Sequence, residues 1–80
     1  MRKTIKLNTF DDIKSFVNLT TQMKCDVLLI SGRYAVDAKS IMGIMSLSLS
    51  KPVIVELIER DYQEKDIFLH KLYELGILAE

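Results

Sequence analysis

The chain has 80 residues, of which 11 are basic and 11 acidic, so its formal net charge at neutral pH is zero. This length predicts one domain, residues 1–80, which is large enough to fold without disulfides or bound metals. The balanced charge disfavours nucleic acid or an anionic membrane as a partner. The single cysteine excludes an internal disulfide. Since there is also no signal peptide or apolar run of about 18 residues, the sequence predicts a cytoplasmic protein.

The first half of the chain predicts three strands and one helix. Lys3–Leu7 alternates polar and apolar residues, as a strand with one wet face does. Thr9 and Asp12 form a capping-box pattern, and the apolar spacing that starts at Phe10 predicts a helix from Phe10 to about Gln22. Asp26–Ile30 is apolar after its first residue, which is typical of a central strand, and the turn at residues 31–33 leads into a short strand at Tyr34–Asp37.

The second half predicts two helices with a strand between them. A short helix opens at Ser40 and ends near Leu47. Val53–Ile58 follows as a strand, and the last helix runs from about Tyr62 to Leu75, with Gly76 as its C-terminal stop. The resulting order, βαββαβα, predicts an α+β open-faced β-sandwich: a four-stranded antiparallel sheet with three helices on one face.

The Ser40 helix holds most of the functional information. The Ser40 hydroxyl is placed to accept a hydrogen bond from the amide of Met42 or Gly43. After it come more apolar side chains than one buried stripe of a two-turn helix can use: Ile41, Met42, Ile44, Met45, Leu47 and Leu49. Two interpretations stay open. Either Ser40 is a plain helix cap over core side chains, or the methionines form a surface kept for a protein partner.

The segment Lys39-Ser-Ile-Met-Gly-Ile-Met-Ser-Leu47 resembles the regulatory-serine segment of HPr, the histidine phosphocarrier of the bacterial phosphoenolpyruvate:sugar phosphotransferase system. The likeness continues from Asp26 to about Lys51, and the order of elements on either side also fits. The resemblance implies the HPr-like fold. It also implies that Ser40 is a target of the HPr serine kinase, and that the helix is a contact surface for enzyme I, the kinase and a catabolite-control transcription factor.

The phosphocarrier chemistry of that family has no counterpart in the sequence. The family carries its histidine in a Gly-X-His-Ala-Arg-Pro-Ala segment at the start of the first helix, where free amides and the arginine hold the phosphate. Here the connection is about five residues shorter, and Thr9 or Phe10 stands about where the histidine would be. Neither forms a phosphoimidazole, and the carboxylates of Asp11 and Asp12 would repel an incoming phosphate. This segment is therefore predicted to be a degenerate phosphocarrier site.

The only histidine, His70, falls on the last helix nearly opposite the apolar stripe formed by Phe68, Leu69, Leu72 and Leu75. It lies beside Asp66 and Glu74, and is predicted to be solvated. No cluster at metal-ligand spacing, no glycine-rich phosphate loop and no Ser/His/Asp arrangement is visible. The sequence therefore predicts no catalytic residue, no metal and no cofactor, and a protein that is not an enzyme.

Three hypotheses of function follow. The first is a non-catalytic regulatory or interaction module that acts through the Ser40 helix. The second is a phosphocarrier with a non-standard acceptor, for which Thr9, Ser15 and His70 are the candidates. The third is a paralogue whose partners are unrelated to sugar transport. The oligomeric state is left open by the sequence.

Overall fold

Seven helices and strands follow one another along residues 1–79, the part of the chain that the computed structural model describes. They are β1 (Arg2–Ile5), α1 (Phe10–Thr21), β2 (Asp26–Ser31), β3 (Tyr34–Asp37), α2 (Ile41–Met45), β4 (Val53–Ile58) and α3 (Tyr62–Leu75). The predicted order βαββαβα is confirmed. The main differences are that β1 ends at Ile5 instead of Leu7, and that α2 ends at Met45 instead of near Leu47.

The four strands form one sheet in the order β1-β4-β2-β3, and every neighbouring pair is antiparallel. β2 and β4 are the two central strands, as the apolar run of β2 predicts. In β4 the buried residues alternate with more exposed ones, so Val53, Val55 and Leu57 face the core. Pro52 directly precedes β4, where its missing amide removes no bond from the ladder.

The helices cover one face of this sheet and bury its apolar side chains. The core contribution of α1 is Ile13, Phe16, Leu19 and Thr20, that of α3 is Phe68 and Leu72, and that of α2 is Ile44. The α+β open-faced sandwich predicted from the sequence is therefore the observed fold.

The two outer edges of the sheet differ. Beyond β1, the chain that follows α3 runs alongside as a cover: the Lys6 amide donates to the Ile77 carbonyl at 2.8 Å, and the Ala79 amide donates to the Thr4 carbonyl at 3.0 Å. Gly76 makes this path possible, because it adopts the left-handed conformation (φ 71°) that ends α3 and redirects the chain. Beyond β3, no further strand is paired within residues 1–79.

A buried hydroxyl links α1 to the segment before α2. Thr20 is fully buried, and its Oγ1 lies 2.7 Å from the Ala38 carbonyl oxygen and 3.1 Å from that of Val17. The hydroxyl has one proton, and Ala38 is the nearer acceptor. Because Ala38 lies two residues before Ser40, this bond fixes the position from which α2 begins.

Replacing Thr20 with valine is expected to lower the free energy of unfolding by about 1–3 kcal/mol, because it removes the donor to the buried Ala38 carbonyl without changing the side-chain shape. Thr20→Ser keeps the hydroxyl and is the matched control. Urea unfolding followed by circular dichroism measures both variants. Equal losses in the two would contradict this role for the hydroxyl.

Candidate functional site

Ser40 caps the start of α2. Its backbone is extended (φ −108°, ψ 111°), and its Oγ accepts a hydrogen bond from the Gly43 amide at 3.1 Å. The predicted N-cap is thus confirmed, with Gly43 and not Met42 as the donor. The Ser40 amide donates in turn to the Asp37 carbonyl at 3.1 Å, and the Ser40 carbonyl accepts from the Ile44 amide at 3.0 Å. The serine is therefore held at a fixed place between β3 and α2.

Lys39, the residue before the cap, is hydrogen-bonded through both its side chain and its backbone. Its Nζ donates to the Met23 carbonyl at 2.9 Å, and its amide donates to Asp37 Oδ1 at 2.9 Å. The first contact connects the segment before α2 to the loop that follows α1. These bonds leave the half-buried Ser40 in a structured loop, with the Asp37 carboxylate as a nearby negative charge.

The apolar side chains of α2 divide into a buried and an exposed group. Ile44 is fully buried, while Ile41 and, two residues beyond the end of α2, Leu47 are partly buried against the core. Met42 and Met45 are 79% and 54% exposed, and their three-residue spacing places them on one face. We call these two side chains the methionine surface. Ile44 must be removed from the predicted set of partner contacts, because its side chain is fully buried in the core and a partner cannot reach it.

At the start of α1, backbone amides are hydrogen-bonded to the side chains of the same segment. Thr9 Oγ1 accepts from the Asp12 amide at 3.0 Å, and Asp12 Oδ2 accepts from the Asn8 and Thr9 amides at 3.0 and 3.2 Å. The capping box predicted for Thr9 and Asp12 is confirmed. The amides of Asn8, Thr9 and Asp12 at this helix start are therefore already bonded to side-chain oxygens.

Phe10, the first residue of α1, is 52% exposed and does not join the core stripe that starts at Ile13. The Lys14 Nζ lies 5.9 Å from the centre of its ring, at the outer limit of a cation–π contact. Asp11 is exposed beside it. Thr9, Phe10, Asp11 and Asp12 thus form a solvent-facing helix start in which no side chain is an imidazole.

The other candidate phosphoryl acceptors lie apart from the start of α1. His70 is exposed on α3, as predicted, with its Nε2 3.3 Å from Glu74 Oε1. Ser15 is exposed on α1 at an open groove that Lys71 and Glu74 also line. Across residues 1–79 there is no group of three or more His, Cys, Asp or Glu residues arranged to hold a metal. No helix in this range is both long and apolar enough to cross a bilayer.

These features define an α+β open-faced sandwich whose second helix is short, capped by serine and rich in methionine. A family model described as the PTS HPr component phosphorylation site matches residues 13–75. The chain therefore belongs to the HPr family of the phosphotransferase system.

Two solved structures show the same relationship. HPr-C-His from Thermoanaerobacter tengcongensis superposes with a TM-score of 0.75 at 26% sequence identity, over 94% of this chain and 89% of that one. Crh, the catabolite repression containing protein of Bacillus subtilis, superposes with a TM-score of 0.61 at 30% identity, over 91% of this chain and 85% of its own. The Crh structure is described as a dimer with a swapped domain. No curated protein sequence matches the chain.

The family match begins at Ile13, directly after the start of α1. The segment Thr9–Asp12, where the sequence predicts a degenerate phosphocarrier site, therefore lies outside the matched range, whereas the Ser40 helix lies inside it. That the phosphocarrier site has been lost stays a prediction from the residues.

Proposed function

We propose that this protein is a non-catalytic regulatory module of the HPr family, located in the cytoplasm, which a protein partner binds at the methionine surface of α2. Ser40 is the switch of this surface. The observation that carries the proposal is the position of Ser40: its Oγ caps α2, and the most exposed apolar side chain of that helix, Met42, follows two residues later.

Phosphorylation of Ser40 would act locally. A phosphoserine brings close to two negative charges and three acceptor oxygens, which the Gly43 amide can still bond. The same charge next to Met42 raises the cost of covering the methionine surface with an apolar partner, and it supplies an acceptor for a partner that presents arginine. Modification therefore exchanges one class of partner for another while the fold stays intact.

Ser40→Ala is expected to lower the free energy of unfolding by about 1 kcal/mol, because the Gly43 amide loses its acceptor. Ser40→Asp keeps a capping oxygen, so its unfolding free energy should stay within about 0.5 kcal/mol of the wild-type value. Urea denaturation of the two variants makes the comparison. If both variants lose stability equally, the hydroxyl does not act as a cap, and Ser40→Asp is then unsuitable as a mimic of the modified protein.

The switch itself is tested by incubating the protein with the HPr serine kinase and ATP, followed by mass spectrometry of the intact chain and of its peptides. We expect one phosphate, located on Ser40. The Ser40→Ala variant should take up none, although Ser46, Ser48 and Ser50 remain within ten residues as internal controls. Absence of modification, or modification at one of those other serines, would refute Ser40 as the switch.

The partner surface is tested by binding to purified enzyme I, the HPr serine kinase and a catabolite-control transcription factor. Met42→Ala should weaken binding of the partner that uses this surface, and Ser40→Asp should change the affinity for the same partner. Tyr73→Ala on α3, another exposed large side chain, is the matched control and should have no effect. If none of the three proteins binds, the paralogue hypothesis with partners unrelated to sugar transport is favoured.

The contact between His70 and Glu74 supports a second candidate function, a phosphocarrier with a non-standard acceptor, because a carboxylate can orient an imidazole. Thr9 and Ser15 are the alternative acceptors. The protein is incubated with enzyme I and labelled phosphoenolpyruvate, beside a competent HPr. Acid-labile label on His70 would establish this function, and acid-stable label on Thr9 or Ser15 would indicate a hydroxyl carrier. An unlabelled chain beside a labelled HPr would exclude both.

A further inference from the structure

The free edge of the sheet at β3 differs from the covered edge at β1. The Ala38 amide donates to the Val27 carbonyl at 2.9 Å, and Leu29 pairs with Val36 one step further along β2 and β3. Since the bonds of an antiparallel ladder alternate, the amides of Ala35 and Asp37 and the carbonyl of Ala35 point away from β2. The Asp37 carbonyl also points outward, where it accepts from the Ser40 amide. An unpaired strand edge of this kind is a template for a further strand.

The charges along this edge complement one another when the strand is paired with itself. In an antiparallel pair of β3 strands with a two-fold axis at Ala35, each Arg33 stands opposite Asp37 of the second copy. Arg33 is exposed and forms no ion pair within residues 1–79. Asp37 Oδ1 accepts a hydrogen bond from the Lys39 amide, which leaves Oδ2 available to Arg33 of the second copy. Because of the two-fold symmetry, the attractive pair between Arg33 and Asp37 forms twice in such a dimer.

The same register gives the exposed aromatic side chain of β3 a place to bind. Tyr34 is 72% exposed, and in the paired strands it stands across from Val36 of the second copy. Beside Val36 lies a groove of about 630 Å³, with residues 31–36 of the same copy, its own Tyr34 among them, along one wall and Ser46, Leu47 and Ser48 after α2 along the other. A tyrosine ring is apolar over most of its surface and suits a groove lined by valine and leucine, with serine hydroxyls near its own hydroxyl.

From the open edge, the charge pairing and the groove, we propose that two copies of this chain associate through β3. The two sheets join into one eight-stranded antiparallel sheet, with Ala35 at the two-fold axis. The Ala35 amide and carbonyl of each copy bond to those of the other, and Tyr34 of each copy enters the groove beside Val36 of the other. This dimer keeps every strand in its own chain, unlike a dimer with a swapped domain.

The proposal is tested by sedimentation velocity from about 10 μM to about 1 mM protein, a range that detects weak self-association. The wild type should shift from monomer to dimer. Arg33→Asp and Asp37→Arg each create two like-charge pairs across the axis and should raise the dimer dissociation constant about tenfold or more. The double variant Arg33→Asp/Asp37→Arg re-forms both attractive pairs and should restore dimerisation. Tyr34→Ser removes the side chain that enters the groove and should weaken the dimer, whereas Tyr62→Ser, which removes an exposed tyrosine from α3, should dimerise like the wild type.

Circular dichroism of each variant checks the fold, and Arg33→Asp lies in an exposed turn where no buried contact is lost. Hydrogen exchange supplies an independent readout, since the Ala35 amide should become protected as the protein concentration rises. A chain that stays monomeric up to about 1 mM would overturn the proposal. So would a dimer that ignores the charge reversals, as a dimer with a swapped domain would, or a double variant that fails to recover.

Discussion

Replacing Phe68 with alanine is expected to lower the free energy of unfolding by about 3–5 kcal/mol. Phe68 is fully buried where α3 packs on the sheet, and it is one of the largest completely buried side chains of residues 1–79. An 80-residue domain has a total stability of about 4–12 kcal/mol, at 0.05–0.15 kcal/mol per residue. The substitution therefore removes a large share of the stability, through lost burial and the cavity left behind.

Ile67→Ala is the matched control, because Ile67 precedes Phe68 on the same helix but is 51% exposed. Its unfolding free energy should change by about 0.5 kcal/mol or less. Both variants are measured by urea unfolding with far-ultraviolet circular dichroism. A larger effect at Ile67 than at Phe68 would mean that α3 is rotated relative to the sheet, and would contradict the packing described above.

Raising the pH from about 9 to about 11 is expected to destabilise the protein by about 2 kcal/mol through Cys25. Burial of the thiol, followed by a hydrogen bond to Glu64 and the charge of that carboxylate, raises the pKa of Cys25 from 9.0 to about 11. In this range the unfolded chain has lost the thiol proton while the folded chain retains it. Stability from this group is therefore complete below pH 9 and disappears as the pH passes the folded-state pKa.

Cys25→Ala isolates this effect from every other contribution to the pH dependence of stability. The difference in unfolding free energy between wild type and Cys25→Ala should shrink as the pH rises from 9 to 11. The buried thiol should also resist thiol-specific reagents at pH 8 in the folded protein and react once urea unfolds it. A constant difference across the pH range would show that the pKa of Cys25 is not raised.

Local sequence signals were sufficient for the order of helices and strands and for the caps. The apolar run of β2, the Thr9 and Asp12 capping box and the left-handed Gly76 all depend on neighbouring residues, so the sequence predicts them well. The regulatory-serine motif likewise located the start of α2 at Ser40, where the structure has it.

The division of α2 into buried and exposed side chains could not be read from the sequence. A five-residue helix is too short to show a periodicity, so Ile44 and Met42 looked equally available to a partner. Phe10 presents a similar difficulty, because the three-residue spacing to Ile13 is regular although the first residue of the helix is exposed.

Contacts between segments that are distant in the chain could not be predicted from the sequence either. The Thr20 hydroxyl bonds to Ala38 across 18 positions, and the Cys25 amide bonds to Glu64 across 39. No local pattern marks such pairs, because they depend on the order of strands in the sheet and on how the helices lie across it. The first contact holds the loop that precedes Ser40. The second places Glu64 beside Cys25, where burial and the Glu64 carboxylate together raise the pKa of the thiol.

The cover that residues 77–79 place over β1 also limits the size of any assembly built on this sheet. A sheet with two bare edges can add copies without end, as fibrils do. Here one edge is occupied by the chain itself, so a second copy that meets the β3 edge presents its own covered edge outward. In the proposed dimer, strand addition would therefore stop at a closed pair, because residues 77–79 occupy the Thr4–Lys6 stretch of the opposite edge in each copy.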